Sequence, residues 1–370
     1  MKKGLAIVAG CMTLANEAVL AQDGVTLYGV VDTNIEYVSN VSQLESTQRG
    51  FPGPGKSRFG LTSGGLSGSR WGIRGTEELG NGLKAIFTLE SGFEADTGKM
   101  AQSGRLFGRQ AYVGLRQERF GSQLTFGRQY SAMFDTFSNF TPTGYTNQYE
   151  PIASMIGLDL RSDNTVKYKG QFGPVTAVAN WSFGNGVAGS GETPGQFRRD
   201  SGYGFGASYL DGKVGLAMSF EQFNPTLAAG AAPARFQKAG AAATYNLENI
   251  KLTGGYRWGL NKSGSDATLA RDNLYWIGAN YSLAALKLTL AYYYDDLKNL
   301  NGVDAKNPWQ VSFIADYNLS KRTDVYLSMA YVKNSGLNFD NSAVFYSGGN
   351  PLGSDKQSML GAAVGIRHRF

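Results

Sequence analysis

A chain of 370 residues with 42% hydrophobic content, 50 glycines and only 10 prolines is no disordered low-complexity segment. Beyond its N-terminus it has no apolar run of the roughly eighteen residues that a spanning helix needs, which excludes a helical membrane protein. The formal net charge of +6 is carried by lysines and arginines that stand mostly singly, so the clustered patch of a nucleic-acid binder is missing and no nucleic-acid partner is expected.

The first segment reads as a secretory signal. Lys2 and Lys3 precede the apolar "GLAIVAGCMTLA", and "VLA" ends at Ala21. Cleavage after Ala21 leaves residues 22–370 as one domain. "VAGC" also resembles a lipoprotein box with Cys11 as the lipidated residue. The apolar stretch before Cys11 is short, and cleavage there leaves "NEAVLAQ" without purpose, so Ala21 is preferred. Both routes export the chain. Loss of Lys2, Lys3 and Glu17 takes the charge from +6 to +5 and removes the only cysteine.

Past Gln22 a rhythm sets in. Alternating segments of strand length are separated first by a tiny turn, then by a longer polar stretch. The tiny turns are "TEELGNG" (76–82), "ERFGS" (118–122), "GP" (173–174), "DG" (211–212), "EN" (248–249), "AA" (284–285) and "KR" (321–322). The longer stretches cover roughly 39–57, 92–106, 129–162, 185–201, 224–236, 262–272, 298–307 and 335–357. Turns therefore gather at one end of a meander and long loops at the other. Helical periodicity shows only in "YSAMFDTF" within 129–162.

Each strand has one apolar and one polar face. In "VTLYGVVDTNIEYV" Val25, Leu27 and Val31 oppose Thr26, Tyr28, Asp32 and Asn34. In "LKAIFTLE" Leu83, Phe87 and Leu89 oppose Lys84, Thr88 and Glu90. In "SRWGIRG" Trp71 and Ile73 oppose Arg70 and Arg74. "NTVKYKGQF" sets Val166, Tyr168 and Phe172 against Thr165, Lys167, Lys169 and Gln171. About sixteen such strands run to "SMLGAAVGIRHRF", each long enough to cross a bilayer when tilted.

An open sheet of this size leaves aggregating edges, and stacked sandwiches need linkers that the chain lacks. A closed transmembrane antiparallel barrel removes every edge and turns its apolar face to lipid. The expected fold is therefore all-β, with an interior too wide for side chains to fill and hence wet. A secreted β-solenoid or adhesin is the competing fold; it predicts one repeated period without alternation of short and long loops.

The blocks "VTLYGVVDTNIEYV", "SRWGIRGTEELGNGLKAIFTLESGF", "QAYVGL…FGSQLTFGRQ" and "VGIRHRF" resemble the Gram-negative general porins of the β-proteobacterial type, in order and spacing over the whole mature chain. The resemblance implies a 16-stranded barrel, a homotrimer in the outer membrane with its lipid and lipopolysaccharide, and a third loop folded inward. The longest break, 129–162, fits that loop. The terminal Phe370 matches an aromatic that resembles a signal to the outer-membrane assembly machinery; as a girdle residue it needs no such role.

Catalysis is not expected. The one histidine, His368, falls on the outward face by parity, and no Cys/His cluster offers a zinc site, so no metal or cofactor is expected. An outer-membrane barrel enzyme stays as the alternative. Passive diffusion of small hydrophilic solutes and inorganic ions remains, selected by size and by charge at a narrow point. The family's ladder of wall arginines facing acids on or near the inward loop implies Arg70, Arg109 and Arg161 at the constriction. Arg109 faces inward if Tyr112 faces out; Arg161 shares a face with Asp163, Thr165 and Lys167. The counter-charges are Glu90, Asp135, Glu150 and Asp159. Arg74, Lys84, Lys167 and Lys169 add wall charge, tempered by Asp32, and the balance predicts anion preference. Arg128 shares parity with Leu124 and Phe126; facing outward, it needs the shelter of a trimer interface.

Overall fold

The computed structural model describes residues 24–43, 53–157, 160–184, 192–228, 230–300, 302, 305–340 and 350–370. The signal segment 1–21 with Cys11, and the loop residue Asp159, lie outside the described residues.

Among the described residues seventeen strand elements follow in order: β1 (Gly24–Ser42), β2 (Gly55–Ser63), β3 (Arg70–Gly80), β4 (Leu83–Gly92), β5 (Gln110–Gln117), β6 (Ser122–Tyr130), β7 (Arg161–Phe172), β8 (Val175–Ser182), β9 (Gly202–Leu210), β10 (Val214–Phe223), β11 (Arg235–Leu247), β12 (Ile250–Lys262), β13 (Thr268–Leu283), β14 (Leu286–Leu300), β15 (Trp309–Asn318), β16 (Thr323–Lys333) and β17 (Ser358–Arg369). From β3 onward each pairs antiparallel with the next. β17 returns to β1, with Val30 opposite Arg369 and Val38 opposite Gly361. The sheet is therefore closed.

β1 pairs with β3 along Gly24–Val30 and with β2 along Thr33–Ser42. β2 and β3 are thus two halves of one wall strand, and the wall has sixteen. Between the halves the chain leaves the sheet at "GGLSGS" and folds into the lumen. This inlet is a feature that the alternation does not predict; three glycines in a row of six residues were its only signal. Gly64 adopts a positive φ of 83° there. A Cβ on Gly65 would collide with the Tyr326 hydroxyl, so only glycine allows that approach.

The outer face is apolar as the alternation requires. Leu27, Phe59, Val113, Met218, Ile277 and Val364 are all exposed on it. The loop forecast at 262–272 shrinks to 263–267, because β12 and β13 run on past the membrane-length segment.

The main apolar core sits inside the barrel, where the segment 131–157 enters the lumen. Its two short helices, Ala132–Phe137 and Ile152–Ile156, bring Met133, Phe137, Phe140, Tyr149, Met155 and Ile156 against one half of the wall. That half offers small inward residues, among them Ala217, Ala242, Ala291, Ala330 and Ala363, which leave room for the loop. Burying each large loop side chain is worth about 1.5–3 kcal/mol. Trp276 Nε1 also donates to the Phe140 carbonyl at 2.8 Å, and its ring meets Phe137 edge-on. The inward third loop expected from the resemblance is present.

Candidate functional site

The half of the wall that the loop leaves bare carries the charges. Successive elements contribute one polar side chain each: Arg70 opens β3, Glu90 lies near the end of β4, Arg109 immediately precedes β5, Tyr130 ends β6 and Arg161 opens β7. The sequence places them at one height because antiparallel neighbours start and stop together on the long-loop side.

These residues form a chain of shared partners. Glu90 accepts from Arg109 Nε at 2.6 Å and stands 3.7 Å from Arg70 Nε. Tyr28 on β1 donates to the other Glu90 oxygen at 3.0 Å. The Tyr130 hydroxyl accepts from Arg109 and from Arg161, each at 3.0 Å. Arg161 also lies over the Tyr130 ring, 4.6 Å from its centre. Tyr130 stacks on Phe134, and Phe134 on Tyr145, so the arginine row is braced against the inward loop.

Three arginines thus face one carboxylate. With the loop and the inlet they line a cavity of about 360 Å³. The loop's contribution to its lining includes Phe134, Ser138, Tyr145, Thr146, Gln148, Ile152 and Leu160, and among the described residues no acid.

Two of the acids forecast for the loop, Asp135 and Glu150, do not line this cavity, which corrects the expectation for them; Asp159 lies outside the described residues. Asp135 is bound to Lys167 Nζ at 2.8 Å, at the root of the loop and outside this cavity. Glu150 turns away from the arginines into the core, where Thr143, the Tyr145 amide and the Tyr293 hydroxyl donate to it. Burial pushes the Glu150 carboxyl up from its ordinary value, opposed by those hydroxyls.

The wall charges need similar revision. Lys167 is buried and also donates to the Tyr130 carbonyl, so it pins the loop and adds little free charge to the lumen. Lys84 sits at the short-turn rim between Glu78 and Glu118, and both carboxylates bind it. Arg74 lies over the Tyr28 ring and Lys169 is half-buried, as lumen residues would be. Asp32 is fully buried. Its carboxylate accepts from the backbone amides of Gly65, Leu66 and Ser67 and from the Tyr326 hydroxyl. It holds the inlet in place and is not a free lumen charge.

Parity fails at three sites, each for a local reason. Tyr112 faces inward, its hydroxyl bonded to Thr88, while Val113 and Leu115 face out. Arg109 nonetheless reaches the lumen because it precedes the strand and escapes its alternation. The Asp163 carboxylate and the Arg161 guanidinium go to different partners, although Arg128 also donates to the Arg161 carbonyl at 3.2 Å. Asn164 adopts a positive φ of 49° at a register shift between β6 and β7, and Asp163 binds Arg128 at 2.6 Å and Arg105 at 2.8 Å. The same shift removes Arg128 from the run of Leu124 and Phe126; its charge is met by Asp163 and the Gly108 carbonyl within the chain.

Sequence reasoning missed Tyr130 and the inlet, and it placed Tyr28 on the inward face without its bond to Glu90. It also missed a second buried group opposite, where Lys238 and Arg257 both donate to the Ser154 carbonyl and Arg257 binds Asp272 at 2.6 Å. These cations meet the C-terminal half of the helix Ile152–Ile156, and Glu221 accepts from the Met133 amide at the start of the other helix.

Comparison with known proteins agrees with this architecture. The model of the Gram-negative porin family matches residues 5–337. The chain is 31% identical to an outer membrane porin of Bordetella pertussis and 32% identical to outer membrane porin protein 32 of Delftia acidovorans, in each case over all of both chains. Among solved structures, an anion-selective porin from Comamonas acidovorans is similar with a TM-score of 0.75 and 27% identity, covering 94% of this chain and all of that one. A closed sixteen-stranded barrel, an inward third loop and full-length similarity to these proteins make one case: the chain belongs to the Gram-negative porin family and forms a diffusion channel in the outer membrane.

Proposed function

We propose that the channel prefers anions and that Arg70, Arg109 and Arg161 set the preference. The observation that carries this reading is that three guanidinium groups line the cavity, while the one carboxylate bound into their row, Glu90, stands behind them. Low-dielectric walls focus that excess positive potential on the path of the ion. The similarity to an anion-selective porin supports the same sign. The solutes are small hydrophilic molecules and inorganic ions, and neither cofactor nor catalysis enters. His368, the one histidine, bonds Thr323 at the short-turn end of the wall, remote from the arginine row.

The protein works as a homotrimer with its second long loop, residues 93–109, toward the neighbour. Arg105, Arg128 and Asp163 cluster at the root of that loop, and Phe107 meets the outward Trp71 edge-on, which supports a built rather than a loose surface. Phe370 is the assembly signal read by the outer-membrane machinery. Its backbone exchanges two hydrogen bonds with Gly29, each at 3.1 Å, so the last residue closes the barrel. Lipid and lipopolysaccharide surround the apolar outer face, and residues 1–21 direct export.

Planar-bilayer recording of the purified protein tests the reading. In a salt gradient the reversal potential should take the sign of a permeant anion. A potential at or beyond zero toward cations would refute it, and a closed barrel without conductance would refute the open pore.

A further inference from the structure

We propose that the constriction is a binding site for amphipathic carboxylates, molecules with one carboxylate and an apolar ring, in preference to small inorganic anions. The inference rests on the anion reading above and names a class within it.

Two observations point to such a ligand. The first is an unsatisfied guanidinium. Arg109 has Glu90 as its ion partner, and Arg70 has Glu90 and the Gly68 carbonyl. Arg161 has only the Tyr130 hydroxyl and ring, and its Nε is buried without a hydrogen-bond partner. A planar guanidinium at the edge of a cavity, with no carboxylate among the described residues, presents a fork that a ligand carboxylate fits with two parallel bonds. A guanidinium with no carboxylate of its own gains from a ligand that brings one.

The second is the opposite side of the cavity. Here the loop presents Phe134, Ile152 and Leu160, and the inlet presents Leu66, all lining the same cavity as the arginines. Phe134 is held between two stacked rings and cannot turn aside. Its edge, with Ile152 and Leu160, forms an apolar lip facing a cationic wall. A cavity of about 360 Å³ is small for a binding pocket and of the size that a single-ring acid fills. The ligand's carboxylate would lie on the Arg161 fork, and its ring on the lip.

The test is single-channel recording of the purified full chain in chloride, with benzoate, acetate or benzylammonium added. Benzoate should reduce the chloride current at about a tenth of the acetate concentration with equal effect, the factor expected from partial burial of one ring. Benzylammonium, the same ring with the opposite charge, should have no effect. Leu160→Ser should close most of the gap between benzoate and acetate, and Arg161→Gln should weaken both. Equal potency of benzoate and acetate overturns the proposal while the chloride reversal potential still supports anion preference. Equal potency of benzoate and benzylammonium overturns it too, as does a benzoate effect unaltered in Arg161→Gln. Should that variant fail to assemble, Arg161→Lys keeps the charge and removes the fork; unchanged benzoate potency there is equally fatal. A cation-directed reversal potential in chloride alone brings down the anion reading itself.

Discussion

Arg161 and Arg109 share the hydroxyl of Tyr130, each at 3.0 Å, although only Arg109 has a carboxylate of its own. Two like charges are thus held to one neutral oxygen. Their repulsion is offset for Arg109 by Glu90 and for Arg161 by the Tyr130 ring. The pair leaves the row with a surplus of positive charge at its β7 end, where the loop returns to the wall.

Replacing that surplus should reverse the channel's preference. Arg70→Glu with Arg161→Glu changes the local charge by four units. Screening acts over roughly 10 Å at 0.1 M salt, comparable to a narrow pore. The reversal potential should therefore move strongly toward cations in dilute salt and less in concentrated salt. Lys262→Glu is the control: it changes the last residue of β12, at the long-loop end and already bound to Asp266, and should move the potential little. Glu90→Gln should raise anion preference. A double variant with the potential of the parent would remove the arginines from the selectivity argument.

Asp32 distinguishes charge from position. If it were a lumen acid, Asp32→Asn would raise anion preference with conductance unchanged. The structure gives the opposite expectation. The carboxylate holds three inlet amides and Tyr326, and its loss should cost about 3 kcal/mol of local stability. The inlet also accepts the Gln148 amide of the inward loop at 2.7 Å, so both sides of the cavity should loosen. Conductance and current noise should rise and anion preference should fall. Tyr326→Phe, which changes no charge, should act in the same direction and more weakly.

The closure of the barrel gives a third expectation. The Phe370 ring covers Gly29 so closely that a Cβ on Gly29 would strike it. Deleting Phe370 removes that cover and both backbone bonds to Gly29. Heat-modifiable barrel recovered from outer membranes should drop several-fold, while channels that do form should conduct normally. Gly29→Val should mimic the deletion in part. Normal yield of the truncated chain would show that the terminal aromatic is dispensable.

Glu150 makes loop docking depend on pH. Its carboxyl is held above the ordinary value by burial in the docked loop. Protonation therefore favours docking: the benefit is complete below the ordinary value, about 4.3, and is lost as pH rises through the raised one. Current noise from loop motion should increase across that interval from acid toward neutral pH. In Glu150→Gln the dependence should flatten. A parent channel with the reverse slope would assign the pH effect to other groups.

Much of this was legible in the sequence, and the exceptions have physical causes. Period-two alternation identifies the wall, since lipid on one side and water on the other demand it at nearly every strand position. Arg70 and Glu90 follow from that alternation alone. It fails where the backbone leaves the sheet: at Asn164, at the inlet and just before Gln110. Burial of polar side chains was harder to read. Asp32 and Lys167 have the right parity for lumen charges, yet loop segments distant in sequence cover them. Alternation specifies which way a side chain points and is silent on what folds over it.

The inward loop divides the interior into a dry half, packed against Ala217, Ala242 and Tyr293, and a wet half bearing the arginine row. Barrel integrity and ion choice are thereby assigned to separate arcs of one wall. Mutational drift in the wet arc can retune which solutes pass at little cost to assembly, whereas drift in the dry arc disturbs both at once. A lineage carrying this barrel can change its diet without redesigning its wall.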